Sequence, residues 1–97
     1  MIRLSLPTTL VAYLPAEEGS DRRSRAALSL AASTWPEAVS EIRERFPLLA
    51  GRVLEAAGET TAEGFVLVVN GDVAPEGRPA SLQAGDEILF IPQIAGG

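Results

Sequence analysis

Thr34-Trp35-Pro36-Glu37-Ala38-Val39-Ser40-Glu41-Ile42-Arg43-Glu44-Arg45-Phe46 decides the fold class, because it reads as a helix with strands before and after it. Thr34 followed three residues later by Glu37 is a capping-box pattern, and Pro36 fits a first turn whose N–H groups have no helical partner. Val39, Ile42 and Phe46 share one face at helical spacing, while Glu37, Glu41 and Arg45 line the other. Glu41 precedes Arg45 by one turn, a pairing worth a few tenths of a kcal/mol. Trp35 is expected to pack beside the helix start.

Toward the N-terminus, Leu28, Leu30 and Ala32 alternate with Ser29 and Ala31, and Ile2, Leu4 and Leu6 alternate with Arg3 and Ser5. Both have the period of a half-buried strand, and the two are expected to pair as an antiparallel hairpin. Between them, Leu10 to Leu14 reads as a turn of helix or an irregular segment under the sheet. Residues 15–25 (PAEEGSDRRSR) read as a charged loop, in which Arg22, Arg23 and Arg25 are better explained by solvation than by docking.

Toward the C-terminus, Pro47 stops the helix and starts a shorter one carrying Leu48, Leu49, Val53 and Leu54. Residues 55–64 read as a flexible loop. Phe65-Val66-Leu67-Val68-Val69 is a continuous apolar run, the pattern of a strand buried on both faces. Asn70-Gly71 turns it back through Asp72 and Val73. Pro75, Gly77 and Pro79 then allow at most a brief edge strand. Leu82 to Glu87 is a turn, with Asp86 and Glu87 as turn formers and solvated charges. Ile88 to Ile91 is the last strand, ended by Pro92. Two strands before a helix and the remainder after it predict an α+β domain, one sheet of four to five strands with the main helix on one face. The chain is expected to be a single domain over residues 1–97 with a flexible tail at 93–97.

Composition narrows the function. The 97 residues carry a net charge of −5, with 46% hydrophobic content and neither Cys nor His. All eight cationic residues are Arg. A chain of this length buries roughly 60–68% of its unfolded surface, enough for one core without staples. Absent His and Cys remove the commonest general base, the commonest nucleophile and the soft metal ligands, so no metal site is expected. Absent Lys removes Schiff-base chemistry and a Walker-type phosphate loop. An acidic chain is a poor match for nucleic acid, and no apolar run reaches the ~18–20 residues that would span a bilayer. The start shows no defensible signal peptide, so a cytoplasmic location is the expectation. The balance argues against an enzyme acting alone.

Leu4-Ser5-Leu6-Pro7-Thr8, the helix after Thr34, Val69-Asn70-Gly71, Leu82-x-x-Gly85-Asp86-Glu87-Ile88 and Pro92-x-x-Ala95-Gly96-Gly97 occur in order along nearly the whole chain. Together they resemble the MoaD/ThiS-type sulfur carriers of the ubiquitin-like β-grasp superfamily. The Pro-x-x-Ala-Gly-Gly ending looks most like the small subunit of molybdopterin synthase. The resemblance implies a β-grasp fold and a non-catalytic carrier that binds no cofactor itself. It implies that an E1-like adenylyltransferase (MoeB/ThiF type) uses ATP to adenylate the Gly97 carboxylate. Sulfur from a desulfurase or rhodanese then gives a thiocarboxylate, delivered to the molybdopterin synthase large subunit (MoaE type) or another acceptor.

The residues fit that chemistry. Gly96 and Gly97 lack Cβ atoms, so the backbone can approach a nucleotide closely. Pro92 projects the tail off the sheet and lowers the disorder that docking must overcome. Ile94 and Ala95 complete the expected partner-binding tail. Phe90 and Ile91 point to opposite faces, so one of them is a candidate partner contact. A charge of −5 suits association with basic partner surfaces. Other readings are a carrier for thiazole, cysteine or another thio-metabolite, a ubiquitin-like protein modifier, or an interaction module with an incidental tail.

Overall fold

The structure, a computed structural model, describes residues 1–14, 26–56, 58–79 and 81–93. The loop with Arg22, Arg23 and Arg25, and the tail residues Ile94, Ala95, Gly96 and Gly97, lie outside them. Along the chain run β1 (Ile2–Leu6), α1 (Thr8–Val11), β2 (Ala26–Leu30), α2 (Trp35–Arg45), α3 (Pro47–Val53), β3 (Phe65–Val69), β4 (Asp72–Ala74) and β5 (Glu87–Pro92). The five strands form one mixed sheet in the order β2-β1-β5-β3-β4. β1 pairs antiparallel with β2 and parallel with β5, and β5 pairs antiparallel with β3. Two hairpins thus flank a parallel central pair, with the helices on one face: a ubiquitin-like β-grasp.

Residue alternation builds the core. Ile2, Leu4 and Leu6 of β1 face the helices with Leu28, Leu30, Leu67, Ile88 and Phe90, and meet Val39, Ile42 and Phe46 from the helical layer. Thr34 caps α2 by accepting from the Glu37 amide at 3.3 Å. The reciprocal arm is displaced by one residue from the capping box: the Glu37 carboxylate accepts from the Ser33 amide at 3.0 Å, not from that of Thr34. The expected Glu41–Arg45 pair closes at 2.7 Å. Arg45 also reaches β2, and Glu41 the two residues that follow it. Glu41 accepts from the Ala31 and Ala32 amides, each at 3.0 Å, and Arg45 donates to the Ser29 carbonyl.

Three expectations are corrected. β3 is not buried on both faces: only Leu67 is fully buried, because among the described residues no second helical layer covers the sheet. Leu48 is 70% exposed, since starting α3 at Pro47 turns Leu49, Ala50 and Val53 inward instead. The loop after Leu54 is tied down over its described residues. The Trp35 indole donates to the Glu59 carbonyl, Arg43 donates to the Glu55 and Gly58 carbonyls, and Thr61 bridges to Leu54 and Gly77.

Candidate functional site

The site is best approached from the turn that sets β5. Asn70 and Gly71 both have positive φ, +51° and +88°, the requirement of the tight turn between β3 and β4. The Asn70 side chain accepts from the Glu87 amide at 2.9 Å and donates to Asp86 at 3.1 Å. Asp86 also accepts from the Gln83 amide at 2.9 Å. The Gln83 amide, followed by the Asn70 side chain, holds the Asp86 carboxyl below its ordinary range against a smaller opposing effect of burial. Gly85 donates to the Met1 carbonyl and Arg3 to the Asp86 carbonyl. The Leu82–Ile88 motif therefore registers β5 against β1 and β3, and Asp86 is a turn-forming residue, as its sequence context implies.

From that fixed start β5 alternates. Ile88 and Phe90 enter the core with no exposed surface, while Leu89 and Ile91 face the side without helices. Phe90 therefore offers nothing to a partner, whereas Ile91 is 38% exposed. The register places Val73 beside Val68 and Val68 beside Leu89, with Val66 beside Ile91 in the next row. These five aliphatic residues form a strip on the uncovered face, ending at Ile91 next to Pro92. The other half of the face is polar. Arg3 lies beside Glu87, and Ser5, buried between Ala27 and Leu89, donates to Glu87 Oε2 at 2.7 Å.

Pro92 pairs opposite Phe65, and the next amide, Gln93, donates to the Gly64 carbonyl at 2.7 Å. The ladder makes its bond one residue beyond Pro92, so the missing proline N–H costs β3 nothing. Gln93, expected at the start of the flexible tail, is held by the fold. Sequence reasoning also missed Gly64, whose only signal is a Glu-Gly pair just before the apolar run.

Among the described residues no group of His, Cys, Asp or Glu side chains could hold a metal ion. An open depression of about 580 Å³ runs along β4, lined by Asp72, Glu76 and Arg78 among others, at the end of β3 away from Gln93. What the described surface provides is an apolar strip leading to the root of the tail.

The model of the ThiS family matches residues 17–97, most of the chain. The chain belongs to the ThiS family. No curated protein sequence matches it. The fold of this ThiS-family chain is shared by solved structures of low identity. A chain of the Amycolatopsis orientalis BexX/CysO complex superposes with a TM-score of 0.70 at 17% identity, with 100% of both chains covered. Mycobacterium tuberculosis CysO, described as an antigen, gives 0.70 at 14% identity, covering 97% of this chain and 100% of that one. SAMP1 from Haloferax volcanii gives 0.60 at 24% identity, covering 99% and 98%. No helix among the described residues is long and apolar enough to cross a membrane.

Proposed function

We propose that this chain is a sulfur carrier whose reactive group is the Gly97 carboxylate. An E1-like adenylyltransferase (MoeB/ThiF type) binds the carrier, and the carboxylate oxygen attacks the α-phosphorus of ATP. Pyrophosphate leaves and an acyl-adenylate forms. The terminal sulfur of a desulfurase or rhodanese persulfide attacks the acyl carbon. The C–S bond forms and the C–O bond to AMP breaks. A thiol then cleaves the S–S bond of the acyl disulfide, leaving as a mixed disulfide with the donor, and a thiocarboxylate results. The carrier is a co-substrate in this scheme, and the activating enzyme supplies the nucleotide site.

The observation that carries the reading is the course of β5. The family match runs through Gly97, and β5 delivers the tail from the end of an uncovered aliphatic strip. That strip supports docking of Ile91 and its neighbours against a partner, and the BexX/CysO complex supports a carrier that works in complex. Pro92-x-x-Ala95-Gly96-Gly97 favours the molybdopterin synthase large subunit (MoaE type) as sulfur acceptor. A second acceptor, in cysteine synthesis, is favoured by the similarity to CysO.

The test is intact-mass analysis after incubation with the activating enzyme, ATP and sulfide. The expected result is a gain matching exchange of one oxygen for sulfur, localised to Gly97. Deletion of Gly96 and Gly97 is expected to abolish the gain with no change in thermal midpoint. Sulfur transfer by the truncated chain would overturn the reading.

A further inference from the structure

Gly64 occupies the turn that leads into β3. The Phe65 amide donates to the Ala62 carbonyl at 3.2 Å across Glu63 and Gly64, and Gly64 has φ of +93°. Positive φ at the third residue of a four-residue turn is the geometry that glycine supplies without strain. A Cβ built on Gly64 would meet no atom within 4 Å, so the demand for glycine comes from the backbone and not from packing. The turn directs the Gly64 carbonyl at β5, where it accepts from the Gln93 amide at 2.7 Å. Among the described residues this bond holds the chain furthest along toward its C-terminus. Four residues of sequence follow Gln93. Fully extended at ~3.3–3.6 Å each, they reach at most about 14 Å from it.

We infer that Gly64 is a positioning residue for the chemistry at Gly97: its carbonyl clasps Gln93 and fixes the point from which the tail reaches its activating partner. The inference rests on the carrier reading above. Released, Gln93 joins the segment that must be ordered when the tail enters the partner's cleft. Ordering one more backbone residue weakens productive docking about five- to thirtyfold. The loss falls equally on the bound carrier and on the transition state, so it raises KM for the carrier and leaves kcat in place.

The test compares four chains: the natural one, Gly64→Ala, a synthetic chain with D-alanine at position 64, and a synthetic chain with an ester in place of the 92–93 amide. D-alanine accepts positive φ, and the ester removes the Gln93 donor while keeping every side chain, so the ester chain tests the clasp even if Gly64→Ala fails to fold. Amide exchange at Gln93 is read by NMR in the three chains that keep this amide. ATP–pyrophosphate exchange is measured with a purified E1-like adenylyltransferase of the MoeB type. Gly64→Ala is expected to lose Gln93 protection and to raise carrier KM about five- to thirtyfold at unchanged kcat. The D-alanine chain is expected to restore both, and the ester chain to raise KM alike. If the natural chain supports exchange and the ester chain does so with the same KM, the positioning role is wrong while the carrier reading stands. If the natural chain supports no exchange, the carrier reading falls and takes the inference with it.

Discussion

At the scale of single residues, Glu41 has the most to say about pH. Burial pushes its carboxyl up, but the Ala31 amide, Arg45 and the Ala32 amide outweigh burial and hold it below the ordinary range. A carboxyl lowered in the folded state stabilises the fold above its unfolded pKa, and that contribution drains away as pH falls through the folded value. Glu41→Gln is therefore expected to cost about 1 kcal/mol at pH 7. The gap to the natural chain should close through the acid limb, as followed by urea unfolding across pH. Ile91 is the contrasting case. It is partly exposed and faces no helix, so Ile91→Asp should leave the fold intact and lower the thermal midpoint by only about 4–8 °C, the cost of Asp in a strand. In the carrier reading the same change lowers affinity for the activating enzyme at least tenfold, measured by titration calorimetry.

At the scale of elements, Phe46 joins two helices. It ends α2, precedes Pro47 at the start of α3, and is 1% exposed with the Arg45 guanidinium 4.7 Å from its ring centre. Phe46→Ala removes a core ring at the one place both helices depend on, and is expected to cost about 3–5 kcal/mol in chemical unfolding. The helices were legible because cap, proline and period agree over a dozen residues. The strands were legible as strands, but their surroundings were not. A run such as Phe65–Val69 looks the same whether its second face meets a helix or stays open. The period-two rule separated Phe90 from Ile91, yet only the position of the helical layer says which is inside. The loop after Leu54 looked free because its anchors, the Trp35 indole and the Arg43 guanidinium, are distant in sequence and bind backbone carbonyls, which no residue pattern records. The tail motif was legible as letters. The clasp at its root was not, since it joins two backbone groups 29 positions apart.

At the scale of the whole molecule, the two borders of the sheet differ. On the β2 side, Arg45 occupies the Ser29 carbonyl, and Glu41 occupies the Ala31 and Ala32 amides just past the strand's end, which obstructs an added strand there. On the other side β4 is three residues long and carries no such cover from α2. A sheet with one stopped end and one open end can join a second copy edge to edge, β4 to β4, and then has nothing left to extend. Edge-to-edge association of the natural chain is therefore expected to stop at a pair. Removing both guards, Glu41→Ala with Arg45→Ala, should convert that self-limiting geometry into one able to propagate. The expected signature is a concentration-dependent rise in light scattering that the natural chain, heated to the same fraction unfolded, does not show.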